Sequence, residues 1–301
     1  MNRIDMPVVL LTGATGQLGR WILREFAVRG HRNLVGWSGR TSGQFEGFDV
    51  EPVSLENKSE VEQKLEAIRP DVVIHTAAMS AADEVRKAPE LGRLINEEGT
   101  RTLADWCGRA GSRIIYTSTD LVFDGTKSMW TEDDAPAPLL EYGRTKARSE
   151  PLVTSTAHGL VARIALLYGP TLTGRPSFYS ACIDALRHGG SRDVFMDEYR
   201  TPLDYASAAE ALCDLALEHP SKSGVIHMGG PERMSRYDLI RRSAEALGLD
   251  AGLVRPSLAA ETQMPEPRPR DVSLSTAKLD LWLPGRTRRT PEDVANLLTT
   301  A

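Results

Sequence analysis

The chain has 301 residues, 41% of them hydrophobic and 26% charged, with a formal net charge of −5. These figures are ordinary for a soluble globular protein with a substantial core, built as one large domain or as two lobes. The acidic balance argues against a nucleic-acid surface. There is no run of about 18 apolar residues, and the first residues lack the apolar core of a signal peptide, so a cytoplasmic protein with no membrane partner is expected. Cys107, Cys182 and Cys213 fall in helix-like segments without metal-ligand spacing, and are expected to be small buried hydrophobes with no metal.

After a short polar stretch, Val8 to Leu11 reads as a buried strand. It feeds Thr12-Gly13-Ala14-Thr15-Gly16-Gln17-Leu18-Gly19 and then a helix from Arg20 to Arg29. Strand, glycine turn and helix in this order form a dinucleotide fingerprint. Gly13 permits the tight turn, Gly16 lets the backbone approach a pyrophosphate, and Gly19 allows close packing of helix on strand. The helix N-terminus presents free N–H groups, so Gly13, Thr15, Gly16, Gln17 and Leu18 are expected to hold a cofactor. The next strand, Asn33 to Trp37, ends in Ser38-Gly39-Arg40-Thr41. An NAD site commonly has an acid here for the ribose 2′-hydroxyl, whereas an arginine accommodates a 2′-phosphate. No acid occurs from Leu34 to Gln44, so NADP is expected in preference to NAD, with Arg40 on its phosphate.

Asp49 to Leu55 reads as a third strand, and Ser59 to Ile68 as a charged amphipathic helix. The buried strand from Val72 to His75 runs into Thr76-Ala77-Ala78, where small side chains let a flat cofactor lie against the backbone. His75 at this strand end is read as structural. A long helix from Pro89 to Arg109 carries Asn96 inside it, an unfavourable place that points to a hydrogen bond with a neighbouring strand. The apolar run Ile114-Ile115-Tyr116 delivers Ser118 and Thr119 to a sheet edge. Tyr142 and Lys146 share one helix face, one turn apart. Together these supply a phenol, an ammonium and a hydroxyl, the equipment for moving a proton at an oxygen while a cofactor moves a hydride.

The second half reads as a strand (Gly159 to Leu167), a helix (Phe178 to His188) and a loop (Asp197 to Pro202) that brings Arg200 near an anionic substrate. An apolar helix (Ala206 to Glu218), a strand (Val225 to Met228) and a basic amphipathic helix (Tyr237 to Leu247) follow. The segment from Pro256 to Pro269 contains four prolines and reads as a loop. Thr290-Pro291-Glu292-Asp293 opens a last helix reaching about Leu298.

The segments Thr12 to Gly19, His75 to Ala78, Ser118-Thr119-Asp120 with Val122-Phe123-Asp124-Gly125, and Tyr142 to Lys146 resemble the extended short-chain dehydrogenase/reductase superfamily. Within it, the string from Ser118 to Gly125 is most similar to the dTDP-4-dehydrorhamnose reductase group. Tyr199-Arg200-Thr201-Pro202 and Arg268-Pro269-Arg270-Asp271 agree. The resemblance implies that Tyr142 is the general acid, and that Lys146 lowers its pKa and holds the nicotinamide ribose. It also implies that Thr119 binds the substrate carbonyl, and that Asp120, Arg200, Arg268 and Arg270 meet a nucleotide-sugar. Bringing a tyrosine from about 10 to neutrality requires roughly 4 kcal/mol of preferential phenolate stabilisation. Members commonly pair through helices like those of Asn96 and Tyr142, so a homodimer is expected.

Two departures bear on chemistry. Dehydratases of the superfamily place a glutamate where Leu121 stands, so elimination lacks its base here. The rhamnose reductases have tyrosine at that position and a tryptophan where this chain has Leu166. The fold expected is a doubly wound parallel α/β (Rossmann) sheet over residues 1–167 that binds NADP. Residues 168–301 are expected to form mainly a smaller substrate lobe, with segments returning to the sheet. The function expected is NADPH-dependent reduction of a 4-keto deoxysugar nucleotide. The alternatives are an epimerase, a reductase of another carbonyl, or a non-catalytic subunit resembling the regulatory subunit of methionine adenosyltransferase, which shares the Arg-Pro-Arg string.

Overall fold

Each apolar run of the first half becomes a strand of one sheet in the computed structural model, which describes residues 6–299. These are β1 (Val9–Thr12), β2 (Leu34–Ser38), β3 (Gly43–Phe45), β4 (Phe48–Pro52), β5 (Val72–His75), β6 (Arg113–Thr119) and β7 (Gly159–Ile164). Short strands follow: β8 (Leu167–Tyr168), β9 (Arg192–Phe195), β10 (Tyr199–Arg200) and β11 (Leu203–Asp204). Then come β12 (Gly224–Met228), β13 (Met234–Ser235) and β14 (Val254–Ser257). The eight-stranded sheet runs β12-β7-β6-β5-β1-β2-β4-β3, and every neighbouring pair is parallel except β3 with β4. Chain order reverses at β1, which lies between β2 and β5. A crevice opens beyond the carboxyl ends of strands at such a reversal, and doubly wound sheets bind ligands there.

The helices are α1 (Gln17–Val28), α2 (Lys58–Ile68), α3 (Ala82–Lys87), α4 (Pro89–Arg93), α5 (Gly99–Ala110) and α6 (Glu141–Thr154). In the second half they are α7 (Phe178–Arg187), α8 (Tyr205–Leu217), α9 (Arg236–Ala246), α10 (Ala277–Trp282) and α11 (Pro291–Thr299). One sheet face is covered by α1 and α8, where Ile22, Leu23 and Phe26 join Ala208, Leu212 and Leu215. The other face takes Val61 and Leu65 of α2, Leu103 and Trp106 of α5, and Val153 of α6. Full burial of each large side chain contributes roughly 1.5–3 kcal/mol before the entropy of ordering it is set against the gain. Tyr168, Tyr179, Ile183, Leu239 and Ile240 build a separate cluster in the second half. Among the described residues no helix is long and apolar enough to cross a membrane.

The structure differs from the sequence reading at several boundaries. Residues 1–5 of the polar N-terminal stretch lie outside the described residues. Helix α1 begins at Gln17, inside the glycine segment, because extended Gly16 already acts as its N-cap. The helix expected from Pro89 to Arg109 runs on to Ala110, but a π turn, Leu94–Glu98, interrupts it around Asn96. The strand expected through Leu167 stops at Ile164; the chain then leaves β12, and Leu167 and Tyr168 pair with β11 instead. The proline-rich loop keeps a short strand at its start, β14, parallel to β9.

Candidate active site

The crevice is a cavity of about 1080 Å³ lined by residues of both halves. On the dinucleotide side Gly13 has φ +71°, and a Cβ there would sit 2.7 Å from the Ala77 nitrogen, so only glycine fits. The N-terminus of α1 has no side-chain cap and no acid in its first turn, which leaves its N–H groups and positive end for an anion. Thr15, Gly16 and Leu18 line the cavity beside them, and Ala77 and Ala78 face them across it. Gln17 also lines it, but its amide is committed elsewhere: Nε2 donates to the Arg175 carbonyl at 2.7 Å and Oε1 accepts from Leu172 N at 3.3 Å. Gln17 can therefore serve a phosphate only through its backbone. Exposed Arg40 lines the same end, on a turn fixed by Ser38, whose Oγ donates to Thr41 O and accepts from Thr41 N. This donor set and cradle fit a dinucleotide with a 2′-phosphate.

On the other side, β6 ends at Thr119 and the chain turns through a 3₁₀ segment, Asp120–Val122. The Thr119 hydroxyl accepts from Leu121 N at 3.2 Å and donates to Asp120 Oδ1 at 3.2 Å. Helix α6 packs directly on this turn because residue 143 is glycine: a Cβ there would lie 2.3 Å from the Leu121 carbonyl oxygen. That contact brings Tyr142 to Thr119. Burial and the neighbouring Asp120 push the Tyr142 phenol above its usual pKa, and the Thr119 hydroxyl eases it back. The expected depression by Lys146 is thus not what the chain itself produces. Desolvation dominates, with Asp120 acting in the same direction, and keeps the phenol protonated, the form a general acid needs.

Lys146 is 2% exposed, and its Nζ lies 4.3 Å from the centre of the Tyr116 ring. Burial lowers its pKa to about 7, and Glu150 opposes the change. His75 is fully buried and bridges Thr12 Oγ1 (2.7 Å) and Thr100 Oγ1 (2.9 Å); Thr100 in turn donates to the Asn96 carbonyl. Burial, with Lys146 nearby, lowers its pKa to about 3, so the ring is neutral. Asn96 bonds to a loop and a helix, not to a strand as expected. Its Oδ1 accepts from Met79 N at 2.8 Å, and its Nδ2 donates to Met79 O at 3.1 Å and to Thr145 Oγ1 at 3.0 Å.

The far wall is cationic. Buried Arg200 sets Nε 3.5 Å from Asp120 Oδ2 and Nη2 3.9 Å from Glu198 Oε2. Burial pushes the Asp120 carboxyl up, against the pull of Arg200. Both residues line the cavity, as do Leu121 and Leu166. Arg268 and Arg270 do not. Arg268 instead grips buried Glu198 through Nε and Nη2, and Arg270 is exposed outside the cavity. Burial alone would raise Glu198, but Arg268, Arg236 and Arg200 together hold it below its usual range. Arg236 lines the cavity and donates to Glu198 at 2.8 Å. It was missed in the sequence, although the capping box of Ser235 and Asp238 marks it as the first residue of α9. The three cysteines are free and buried, and among the described residues no group of three or more His, Cys, Asp or Glu could hold a metal ion.

The chain is similar to several known proteins. Methionine adenosyltransferase 2 subunit beta of Xenopus tropicalis is 32% identical over 277 residues, 90% of this chain and 81% of that protein. A Streptomyces antibioticus protein named "Probable dTDP-4,6-dihydroxy-2-methyloxan-3-one 4-ketoreductase" is 31% identical over 264 residues, 86% of this chain and 84% of that one. The crystal structure of a hypothetical dTDP-4-dehydrorhamnose reductase from Sulfolobus tokodaii superposes with a TM-score of 0.82 at 27% identity, covering 95% of this chain and 98% of the other. The model of the RmlD substrate binding domain matches residues 6–301, and the chain belongs to that family.

Proposed function

We propose that the chain is an NADPH-dependent oxidoreductase that reduces the 4-keto group of a nucleotide-activated deoxysugar. The observation that supports this best is the meeting of Thr119, Tyr142 and Lys146 in one cleft with the glycine loop of α1. When bound, NADPH supplies the hydride. Gly13, Thr15, Gly16, Gln17 and Leu18 hold its diphosphate through the backbone, Arg40 its 2′-phosphate, and Ala77 and Ala78 leave room for it. Tyr142, kept protonated by its surroundings, gives its proton to the carbonyl oxygen, and the Thr119 hydroxyl, turned from Asp120 Oδ1, is a second donor to that oxygen. Lys146 holds the nicotinamide ribose and offsets the negative charge that Tyr142 acquires. Asp120, Arg200 and Arg236 meet the nucleotide-sugar, and Arg268 acts through Glu198 by fixing Arg236. In this scheme residues 1–167 are the cofactor domain and 168–301 mainly the substrate lobe, with β12 and α8 packed back on the sheet. Two copies pair through the helices of Asn96 and Tyr142.

A second reading, a regulatory subunit, is supported by the 32% identity to methionine adenosyltransferase 2 subunit beta. The two separate in one assay pair. Purified chain is mixed with NADPH and a panel of 4-keto-6-deoxysugar nucleotides, and in parallel with a methionine adenosyltransferase catalytic subunit. Turnover supports the reductase; a stable complex without turnover supports the regulatory role.

A further inference from the structure

Lys146 and Glu150 lie one turn apart on α6, on the same face. Glu150 is 4% exposed, yet donors converge on its carboxylate. The Ser118 hydroxyl donates at 2.6 Å, Arg163 Nε at 3.0 and 3.2 Å, and Arg163 Nη2 at 2.8 Å. Arg163 comes from β7, is itself buried, and has the Phe123 ring 5.1 Å from its guanidinium. Its Nη1 lies 3.3 Å from His227 Nε2, and His227 Nδ1 lies 3.0 Å from the Trp130 carbonyl oxygen. A carbonyl only accepts, so the imidazole proton sits on Nδ1, and Nε2 is left to accept from Arg163. Burial, with Arg163 beside it, lowers the pKa of His227 to about 3, so this ring adds no charge.

A buried ion pair is a weak source of stability, since apolar residues of similar volume commonly do as well or better. Glu150 and Arg163 therefore have a better use than holding the fold together. The groups tied to Lys146 are Glu150 on its own helix, Tyr116 of β6 and His75 of β5, with Tyr142 one helical turn before it. His75 is neutral and burial keeps both phenols protonated, which leaves Glu150 as the anion among them. Ser118, the other partner of Glu150, immediately precedes Thr119.

We propose that Glu150, clamped by Arg163 and Ser118, is a positioning residue that helps Lys146 hold its proton against burial and fixes the end of β6 on which Thr119 stands. The role rests on the function proposed above for Lys146 and goes beyond it by naming what sets that residue's charge.

The test uses the full chain without cofactor or substrate. Lysine side-chain carbons are isotope-labelled and titrated by NMR, with the Lys146 signal assigned by its loss in Lys146→Met. Glu150→Gln alone strands a buried guanidinium, so the first variant is the double Glu150→Met/Arg163→Met, which replaces the pair by apolar chains of similar reach. The Lys146 midpoint is expected to fall by roughly one unit or more, while thermal unfolding stays close to that of the parent. The second variant, Arg163→Gln, leaves Glu150 facing Lys146 without its competing cation, and the midpoint is expected to rise. An unchanged Lys146 midpoint in either folded variant overturns the proposal and makes the pair a packing device. A parent protein that reduces no keto-sugar overturns the proposed reaction, yet leaves this titration readable.

Discussion

The Asn96 amide nitrogen stands 3.0 Å from the Thr145 hydroxyl, and so joins the π turn between α4 and α5 to the helix that carries Tyr142 and Lys146. The same side chain also grips both backbone groups of Met79, just beyond β5. One buried amide thus sets the spacing between the loop after β5 and α6. The π turn directs it inward, in keeping with the frequent occurrence of such turns at functional sites. Asn96→Ala leaves buried partners unsatisfied and should cost about 1–3 kcal/mol in urea unfolding, with a fall in turnover. Unchanged stability would show that these bonds are replaced by water.

Gly143 is the second spacer. With alanine there, a carbon would lie 2.3 Å from the Leu121 carbonyl, and α6 would have to move away from Thr119. Gly143→Ala should fold and bind cofactor, but lose about a hundredfold in kcat, as expected for a misplacement of the order of an ångström. A variant with parental kcat would mean that the Tyr142 to Thr119 distance is not critical.

Lys146 gives a pH dependence whose sign is fixed by its lowered pKa of about 7. An unfolded lysine keeps its proton up to about 10.4, so between these values the unfolded state binds more protons than the folded one. Its contribution is unfavourable below about pH 7, and stability rises with pH across the window above it. In Lys146→Met that rise should be smaller than in the parent, as measured by urea unfolding at pH 7 and pH 9. Identical pH slopes for the two proteins would contradict the assignment.

Arg40 is exposed at the cofactor end of the cleft. If it holds a 2′-phosphate, Arg40→Ala should weaken NADPH more than NADH, by roughly 1.5–3 kcal/mol, as for a hydrogen bond to a charged group. Titration of both cofactors against parent and variant measures the difference. An equal loss for both would make Arg40 a surface charge.

The parts of the cleft legible in the sequence are those whose geometry is local. The glycine segment needs only a strand before it and a helix after it, and Tyr142 and Lys146 need only a helical turn. What was not legible depends on contacts far apart in the chain. Gln17 spends its amide on Leu172 and Arg175, and Arg268 is occupied by Glu198, partners that no spacing rule could supply. The upward direction of the Tyr142 shift in the chain alone was not legible for a related reason. A nearby lysine can be read from the sequence, but the burial that raises the phenol belongs to the packed cleft. Asn96 falls between the two: its inward placement was foreseeable, but its partner was not.

The central claim is that Tyr142 is the proton donor in reduction of a 4-keto sugar nucleotide. Single-turnover loss of NADPH absorbance, in parent and Tyr142→Phe, tests it most directly when paired with a cofactor titration of each. The variant keeps the ring and removes the hydroxyl. Its rate should fall on the order of a hundred- to ten-thousandfold, with cofactor affinity within about twofold of the parent. Hydride transfer at the parental rate in Tyr142→Phe, on a substrate the parent reduces, would contradict the account.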